Sequence, residues 1–307
     1  MYSIRSAVPA DEQSVVDLVA RLQADQEHLI GYHGATREEV ADELAGFRPD
    51  WAAGAVLAVD DEGGVRGVLS VDADPEIGRA WLHGPYVDLP EGHPAPRQAW
   101  QNTADDLLDA AVGLPRLAGI GDQELYGHRR HRRLADFAAR HGFDPVGASR
   151  VFALDGPGLR GVLVTAAGQD DEPRVLAAGA DPAVDAGVVA LHERCFPSPT
   201  VTGRQLVRGD RGHTVLVLTG ADGVIGYAGG FAQQDELYVD YVGVDPGMRS
   251  VGSGRALVRA LLRALAAEHG ARPRAAAVIS LGNDASERMF TALGFTLRLE
   301  LVGYRRK

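Results

Sequence analysis

The chain has 307 residues, 45% hydrophobic and 24% charged, with a formal net charge of −11. That is about twice a typical domain, with enough apolar content for two cores, and the acidic balance argues against sequence-independent nucleic-acid binding. Cationic partners suit the charge, although solubility alone is the plainer reason for it. The single cysteine, Cys195, excludes an internal disulfide and a thiolate metal cluster, and reads as a small buried residue. No run of eighteen apolar residues suggests a membrane span, and the opening MYSIRSAVPADEQ lacks a signal-peptide core. The expectation is a cytoplasmic protein, monomer or homodimer, with no metal, membrane or nucleic-acid partner.

In chain order, Ile4 to Val8 reads as a strand, and a helix opens at Ala10-Asp11-Glu12 with Val15, Val16, Leu18, Val19 and Leu22 on its core face. A polar helical stretch, Arg37 to Leu44, precedes the hairpin Ala55 to Val59, Asp60 to Gly64, Val65 to Val71. Arg79 to Val87 is a strand, and Gln98 to Val112 a helix carrying Trp100, Leu107, Leu108 and Ala111 on one side. The dense basic block Gly127-His128-Arg129-Arg130-His131-Arg132-Arg133 precedes the helix Leu134 to Arg140, and reads either as a solvated charge run or as a patch for an acidic group. Ser149 to Leu154 is a strand. Asp155-Gly156-Pro157-Gly158 and Gln169 to Pro173 bracket the expected domain boundary.

The second half restarts with a strand at Arg174 to Ala177 and a helix from Asp181-Pro182-Ala183 through Arg194. Thr214 to Leu218, the turn Ala221-Asp222-Gly223 and Val224 to Phe231 form a hairpin. Leu237 to Val244 is a strand ended by Asp245-Pro246-Gly247. From Arg255 onward Leu257, Leu261 and Leu265 line one helical face and Arg255, Arg259 and Arg263 another, with Gly270 as the stop. Ala275 to Ser280 is a strand, Asp284 to Ala292 a helix with a D-x-x-E start, and Leu297 to Val302 a strand. Both halves close alike, with Arg140-His141-Gly142-Phe143 and Ala292-Leu293-Gly294-Phe295. Eleven residues before each glycine stand His131 and Asn283. This is a repeat of whole domains.

The loop between the strand at Val244 and the helix at Arg255 carries chemistry. Gly252 and Gly254 have no Cβ to hold an anion away, and the first helical turn offers unpaired N–H groups at the positive end of the dipole. A P-loop requires G-K-[ST], but Arg255 and Ala256 follow Gly254; a dinucleotide fingerprint fails at Leu257. Arg249-Ser250-Val251-Gly252-Ser253-Gly254 resembles the R/Q-x-x-G-x-G/A coenzyme A loop of the GNAT N-acetyltransferase superfamily. Asn283, Ser286 and the terminal Leu293-Gly294-Phe295 resemble its second signature. In the first half the equivalent loop, Asp88 to Pro96, has three prolines, Glu91 and no G-x-G, and resembles a copy that has lost the coenzyme.

The resemblance implies an α/β (α+β, mixed-sheet) fold of two tandem GNAT-like domains, each a mostly antiparallel sheet flanked by helices. Residues 1–160 form the degenerate copy and 172–307 the intact one. It implies an acetyl-CoA-dependent N-acetyltransferase acting on a primary amine, expected to be a small molecule. A silent acyl-CoA or metabolite binder and a protein N-terminal or lysine acetyltransferase are the alternatives. Coenzyme contacts are expected from the backbone of Val242 and Val244, from Arg249, Ser250, Val251, Gly252, Ser253, Gly254 and Arg255, and from Asn283 and Ser286.

The chemistry needs a neutral amine, yet an alkylammonium titrating near 10.4 is free at neutral pH in only about one molecule in a thousand. Strand alternation places Glu236, Tyr238, Asp240, Val242 and Val244 on one face. The family's glutamate base falls at Tyr238, so Asp240 or Glu236 is expected to take the proton directly or through water. The family's thiolate-protonating tyrosine falls at Phe290, leaving Tyr238, Tyr241 or Tyr304 as substitutes, or an unassisted thiolate.

Overall fold

The structure, a computed structural model, describes residues 2–89, 92–164, 174–175, 180–197, 199–210, 212–248 and 252–307. The chain runs β1 (Tyr2–Ser6), α1 (Glu12–Gln23), α2 (Arg37–Gly46), β2 (Ala55–Asp60), β3 (Val65–Asp74), β4 (Arg79–Val87), α3 (Pro96–Val112), β5 (Asp122–His128), α4 (Arg132–Arg140) and β6 (Asp144–Asp155). It continues with α5 (Gly156–Val164), β7 (Arg174–Val175), α6 (Pro182–Cys195), α7 (Gly203–Arg208), β8 (Thr214–Gly220), β9 (Gly223–Ala232) and β10 (Glu236–Val244). The last elements are α8 (Ser253–His269), β11 (Arg274–Ser280), α9 (Asp284–Ala292) and β12 (Thr296–Arg306). Two compact units result, one of Met1–Ser149 with Glu300–Lys307 and one of Arg150–Leu299.

In the first unit β1 to β4 form an antiparallel meander, and β4 meets β5 in parallel over Arg79↔Asp122 to Trp81↔Glu124. Val15, Val16, Leu18, Val19 and Leu22 of α1 are buried, as are Trp100, Leu107, Leu108 and Ala111 of α3, because the apolar residues of each helix recur at helical spacing. The C-terminal residues Leu301–Arg306 pair antiparallel with β5, although the repeat puts them in the second half. Arg305 ion-pairs with Asp122 there, and its guanidinium holds the Asp122 carboxyl below the usual carboxylate range. Tyr304, a candidate acid in the sequence, therefore lies in the first unit, packed against that unit's core.

In the second unit the strand order is β7, β8, β9, β10, β11, with β6 beyond β11. The β8–β9 and β9–β10 pairs are antiparallel and β10–β11 is parallel. One face of the sheet is covered by α8, whose Leu257, Leu261, Leu262 and Leu265 are fully buried, each worth roughly 1.5–3 kcal/mol. The other face is covered by α6 and α7 through Val188, Leu191 and Leu206.

Three elements depart from the sequence expectations. Gly156-Pro157-Gly158, expected as one edge of the domain boundary, opens the helix α5: Leu159 is buried against the α8 face, and Arg263 Nε donates to Val162 O at 3.2 Å. The short α7 carries a Thr202/Gln205 capping box that was passed over, and β5 was not anticipated. In the basic block, His128 and His131 are buried, so it is not a uniformly solvated run.

The repeat is visible in the elements themselves. β4 and β10 each have 9 residues, β5 and β11 have 7, α3 and α8 have 17, and α4 and α9 have 9, so the halves correspond element by element around the loop that matters. His131 and Asn283 hold the same position in that scheme. His131 Nδ1 accepts from Leu134 N at 3.2 Å to cap α4, and Asn283 Oδ1 accepts from Ser286 N at 3.2 Å to cap α9. Burial, then the neighbouring His28 and Arg133, pushes His131 down to about 3, which keeps its ring neutral and its Nδ1 an acceptor.

Candidate functional site

Strand β10 and the start of α8 carry most of the predicted groups. β10 pairs with β9 along its length, but with β11 over Glu236↔Arg274 to Val239↔Ala277 and no further among the described residues. From Asp240 to Val244 the β11-side edge of β10 is left with backbone groups for an added strand. Asp240 stands where the two strands part. It is also an extra residue in the ladder, since Val239 pairs with Gly230 and Tyr241 with the adjacent Gly229.

That bulge corrects the expectation of a single shared face. Leu237 and Val239 belong to the α8-side core, and so do Val242 and Val244, whereas Tyr241 belongs to the α6–α7 core. The cross-strand partners agree: a Cβ on Gly230 would meet Leu261 of α8, and one on Gly229 would meet Leu206 of α7. Tyr238 and Glu236 thus lie on the opposite side of β10 from Val242 and Val244. One inserted residue reverses a period of two.

The three predicted catalytic side chains have different surroundings. Asp240 Oδ2 lies 2.8 Å from His213 Nε2, a pairing that sequence gave no hint of. Glu236 accepts from Arg274 Nε at 2.9 Å, and Arg274 also pairs with Asp235, so Glu236 is held at the start of the strand. Tyr238 lies against its cross-strand neighbour Phe231 in a tilted contact, with centroids 5.1 Å apart, and Phe231 meets the His213 ring edge-on at 5.2 Å.

A second polar cluster lies on the same α6–α7 face. His192 is fully buried, with Nδ1 2.6 Å from Tyr227 Oη and Nε2 2.9 Å from Val201 O. Tyr241 Oη accepts from Val201 N at 3.2 Å and shares a hydrogen with Thr200 Oγ1 at 2.7 Å. Burial pushes Tyr227 far up and Tyr241 up to about 12, with Asp240 adding to the second. A phenol so placed ties the α6–α7 connection to the sheet. Phe290, at the family tyrosine position, is buried against Phe295 with centroids 5.0 Å apart.

At the far end of β10, Arg249, Ser250 and Val251 lie outside the described residues. Gly252 caps α8 with φ 89°, a left-handed conformation that glycine adopts without strain, and no side chain caps the helix. The first-turn N–H groups of a 17-residue helix therefore have no capping side chain, and Ser253, Gly254 and Arg255 form that turn. This is the arrangement a diphosphate fits. Asn283 Oδ1 accepts from Ser286 N, and the two form the cap of α9.

The equivalent position of the first unit is built differently. Pro96 is the first residue of α3 and removes one of its donors. Asp88 pairs with Arg21 at 3.1 Å and with Arg66 at 3.6 Å. A cavity of about 300 Å³ there is lined by residues that include His28, Asp88, His93 and Arg133. Pro90 and Glu91 lie outside the described residues. Arg129 pairs with Glu300 and Arg130 Nη1 donates to Gln26 Oε1 at 3.2 Å, so part of the basic block is engaged locally. Cys195 ends α6 half-buried. Among the described residues no group of three or more His, Cys, Asp or Glu is placed to hold a metal ion. No helix among them is long and apolar enough to cross a membrane.

A parting parallel strand pair, a bulge at the parting and an uncapped glycine-led helix thus lie together in the second unit. Residues 186–295 match the acetyltransferase (GNAT) family model. The second unit carries a GNAT acetyltransferase domain. Solved structures share the fold over the whole chain. A GCN5-related N-acetyltransferase from Sphaerobacter thermophilus aligns with a TM-score of 0.68 at 18% identity, covering 99% of this chain and 95% of that one. A tandem GNAT protein from the clavulanic acid biosynthesis pathway aligns with a TM-score of 0.64 at 14% identity, covering 99% and 98%. A GCN5-related N-acetyltransferase from Kribbella flavida aligns at 0.51 and 16%, covering 79% and 88%. At these identities the likeness is one of fold. No curated protein matches in sequence.

Proposed function

We propose that the second unit is an acetyl-CoA-dependent N-acetyltransferase whose acceptor is a primary amine, and that this amine belongs to a small molecule. The observation that carries the reading is the parting of β10 from β11 at Val239, which leaves an unpaired strand edge leading to the uncapped N-terminus of α8. When bound, the coenzyme supplies the activated acetyl group as a thioester. The backbone of Val242 and Val244 takes the pantetheine arm as an added strand. The N–H groups of Ser253, Gly254 and Arg255, with Arg249, Ser250, Val251 and Gly252, take the diphosphate. Asn283 and Ser286 flank the arm from the start of α9.

The remaining work falls to residues at the bulge. The acceptor arrives as an ammonium, and Asp240 assists its deprotonation, with Tyr238 and Glu236 as the neighbouring polar groups of the strand. Glu236 is the weaker candidate because Arg274 already holds it. The first half, residues 1–160 by the repeat, is a GNAT-like copy that does not bind coenzyme; Pro96 and Asp88 sit where N–H donors are needed.

A second reading, a silent acyl-CoA binder, is favoured by one observation. Phe290 occupies the family's tyrosine position and is packed in the core, where it has no proton to give. Release of free coenzyme A thiol from acetyl-CoA, measured against a panel of primary amines, separates the two. Amine-dependent thiol release is expected; tight coenzyme binding without it supports the silent binder. Label appearing in polypeptide rather than in small molecules, when labelled acetyl-CoA is added to a cell extract with the protein, moves the acceptor to protein amines.

A further inference from the structure

We propose that His213, held by Asp240, is the group that takes the proton from the acceptor ammonium, and that it does so through Nδ1. This rests on the amine-acetylation reading and names its base. The geometry begins with a tautomer. A neutral imidazole carries one hydrogen, and a carboxylate 2.8 Å from Nε2 fixes that hydrogen on Nε2. Nδ1 is then a lone pair, free to accept.

That lone pair is buried and has no hydrogen-bond partner, while the His213 side chain is only 2% exposed. Buried polar atoms are nearly always paired, so an unpaired basic nitrogen in a site of this kind calls for a ligand. The comparison inside the same unit is direct. His192, equally buried and on the same face, has both nitrogens engaged, by Tyr227 Oη and Val201 O, and serves structure. His213 has one nitrogen engaged by a carboxylate and the other open.

Its place in the fold supports the role. Asp240 is the bulged residue at which β10 leaves β11, so the pair stands at the opening of the strand edge assigned to the coenzyme arm. Phe231 and Tyr241 pack around the ring, at 5.2 and 6.3 Å between centroids, and restrict its orientation. The titratable groups that face it are Asp240 and Tyr241 of β10 and His192 of α6. Glu268 of α8 is engaged by the adjacent Thr214 at 3.3 Å. Asp240 is the anion in contact with it and offsets the charge that the ring acquires.

The step balances simply. An N–H bond of the ammonium breaks, leaving its electron pair on nitrogen as the nucleophile; Nδ1–H forms, giving an imidazolium beside the Asp240 carboxylate. The ring later releases that proton to solvent. The substrate class is a primary alkylammonium, and Asp240 is a positioning residue.

The test uses the full chain with labelled histidine. Nitrogen NMR of His213 in the coenzyme-free protein is expected to show the Nε2–H tautomer, a preference that Asp240→Ala weakens because no carboxylate then fixes the hydrogen on Nε2. For His213→Gln, kcat/KM is expected to fall by roughly 10²–10⁴-fold near neutrality. The acidic limb of its pH profile should vanish, while coenzyme A affinity and the circular dichroism stay at wild-type values. An Nδ1–H tautomer overturns the proposal, whether or not turnover is found. Retention of the acidic limb in His213→Gln, with coenzyme still bound, overturns it as well. If that variant does not fold, the effect of Asp240→Ala on the His213 tautomer decides, and an unmoved tautomer overturns the proposal. A wild-type protein without turnover on any amine contradicts the acetyl-transfer reading instead.

Discussion

Gly254, in the first turn of α8, lies directly against Met289 of α9: a Cβ at Gly254 would stand 2.6 Å from Met289 Sδ. The glycine assigned to the proposed anion site also lets two helices meet. A side chain there affects packing as well as ligand approach, so coenzyme loss in a Gly254 variant is ambiguous by itself.

Gly254→Ala is expected to cost about 1–3 kcal/mol of stability through this overpacking. Most of that should be recovered in Gly254→Ala combined with Met289→Ala, where the facing sulfur is gone. Urea unfolding of the two single variants and the double variant reads the coupling. Strictly additive losses contradict the contact.

The first unit should weaken in acid because of its buried histidine cap. His131 is held near 3 in the folded state against about 6.5 in the unfolded chain. Its contribution is complete above about pH 6.5 and is lost as pH falls from there toward 3, where unfolding is favoured because the freed ring takes up a proton. A shift of that size is worth on the order of 5 kcal/mol. His131→Asn keeps a capping side chain but not the titration, so its stability curve should fall less steeply through that window. A slope equal to wild type means that His131 does not supply the linkage.

Much of this was legible in the sequence, and the failures have local causes. Helix faces followed from spacing, as Leu257, Leu261 and Leu265 illustrate. The equivalence of His131 and Asn283 followed from counting back from two glycines, and both turned out to be helix caps. The face of β10 was misread because alternation assumes an unbroken ladder, and the bulge at Asp240 is set by pairing with β9, which no residue type in the strand announces. His213 was missed because it stands 27 residues before Asp240, in the connection leading into β8, and only the β8–β9–β10 pairing brings it near. The placing of Leu301–Arg306 on β5 likewise depends on a partner more than 170 residues away in the chain.

Asn283 carries two assignments that a single substitution can separate. Asn283→Asp retains an acceptor for the N–H of Ser286 and puts a negative charge at a helix N-terminus, so the melting temperature should hold or rise slightly. If the residue also borders the coenzyme, the added charge should weaken coenzyme A binding measurably. Unchanged affinity together with unchanged stability restricts Asn283 to capping.

The most direct test of the account is a calorimetric titration of coenzyme A into the full chain and into Ser253→Glu. Ser253 is the first residue of α8, where a carboxylate suits the helix dipole but stands in place of the diphosphate. The account predicts one site per chain in the wild type, and none in a variant that melts at or above the wild-type temperature. Two equivalent sites in the wild type, or the same affinity in Ser253→Glu, contradict it.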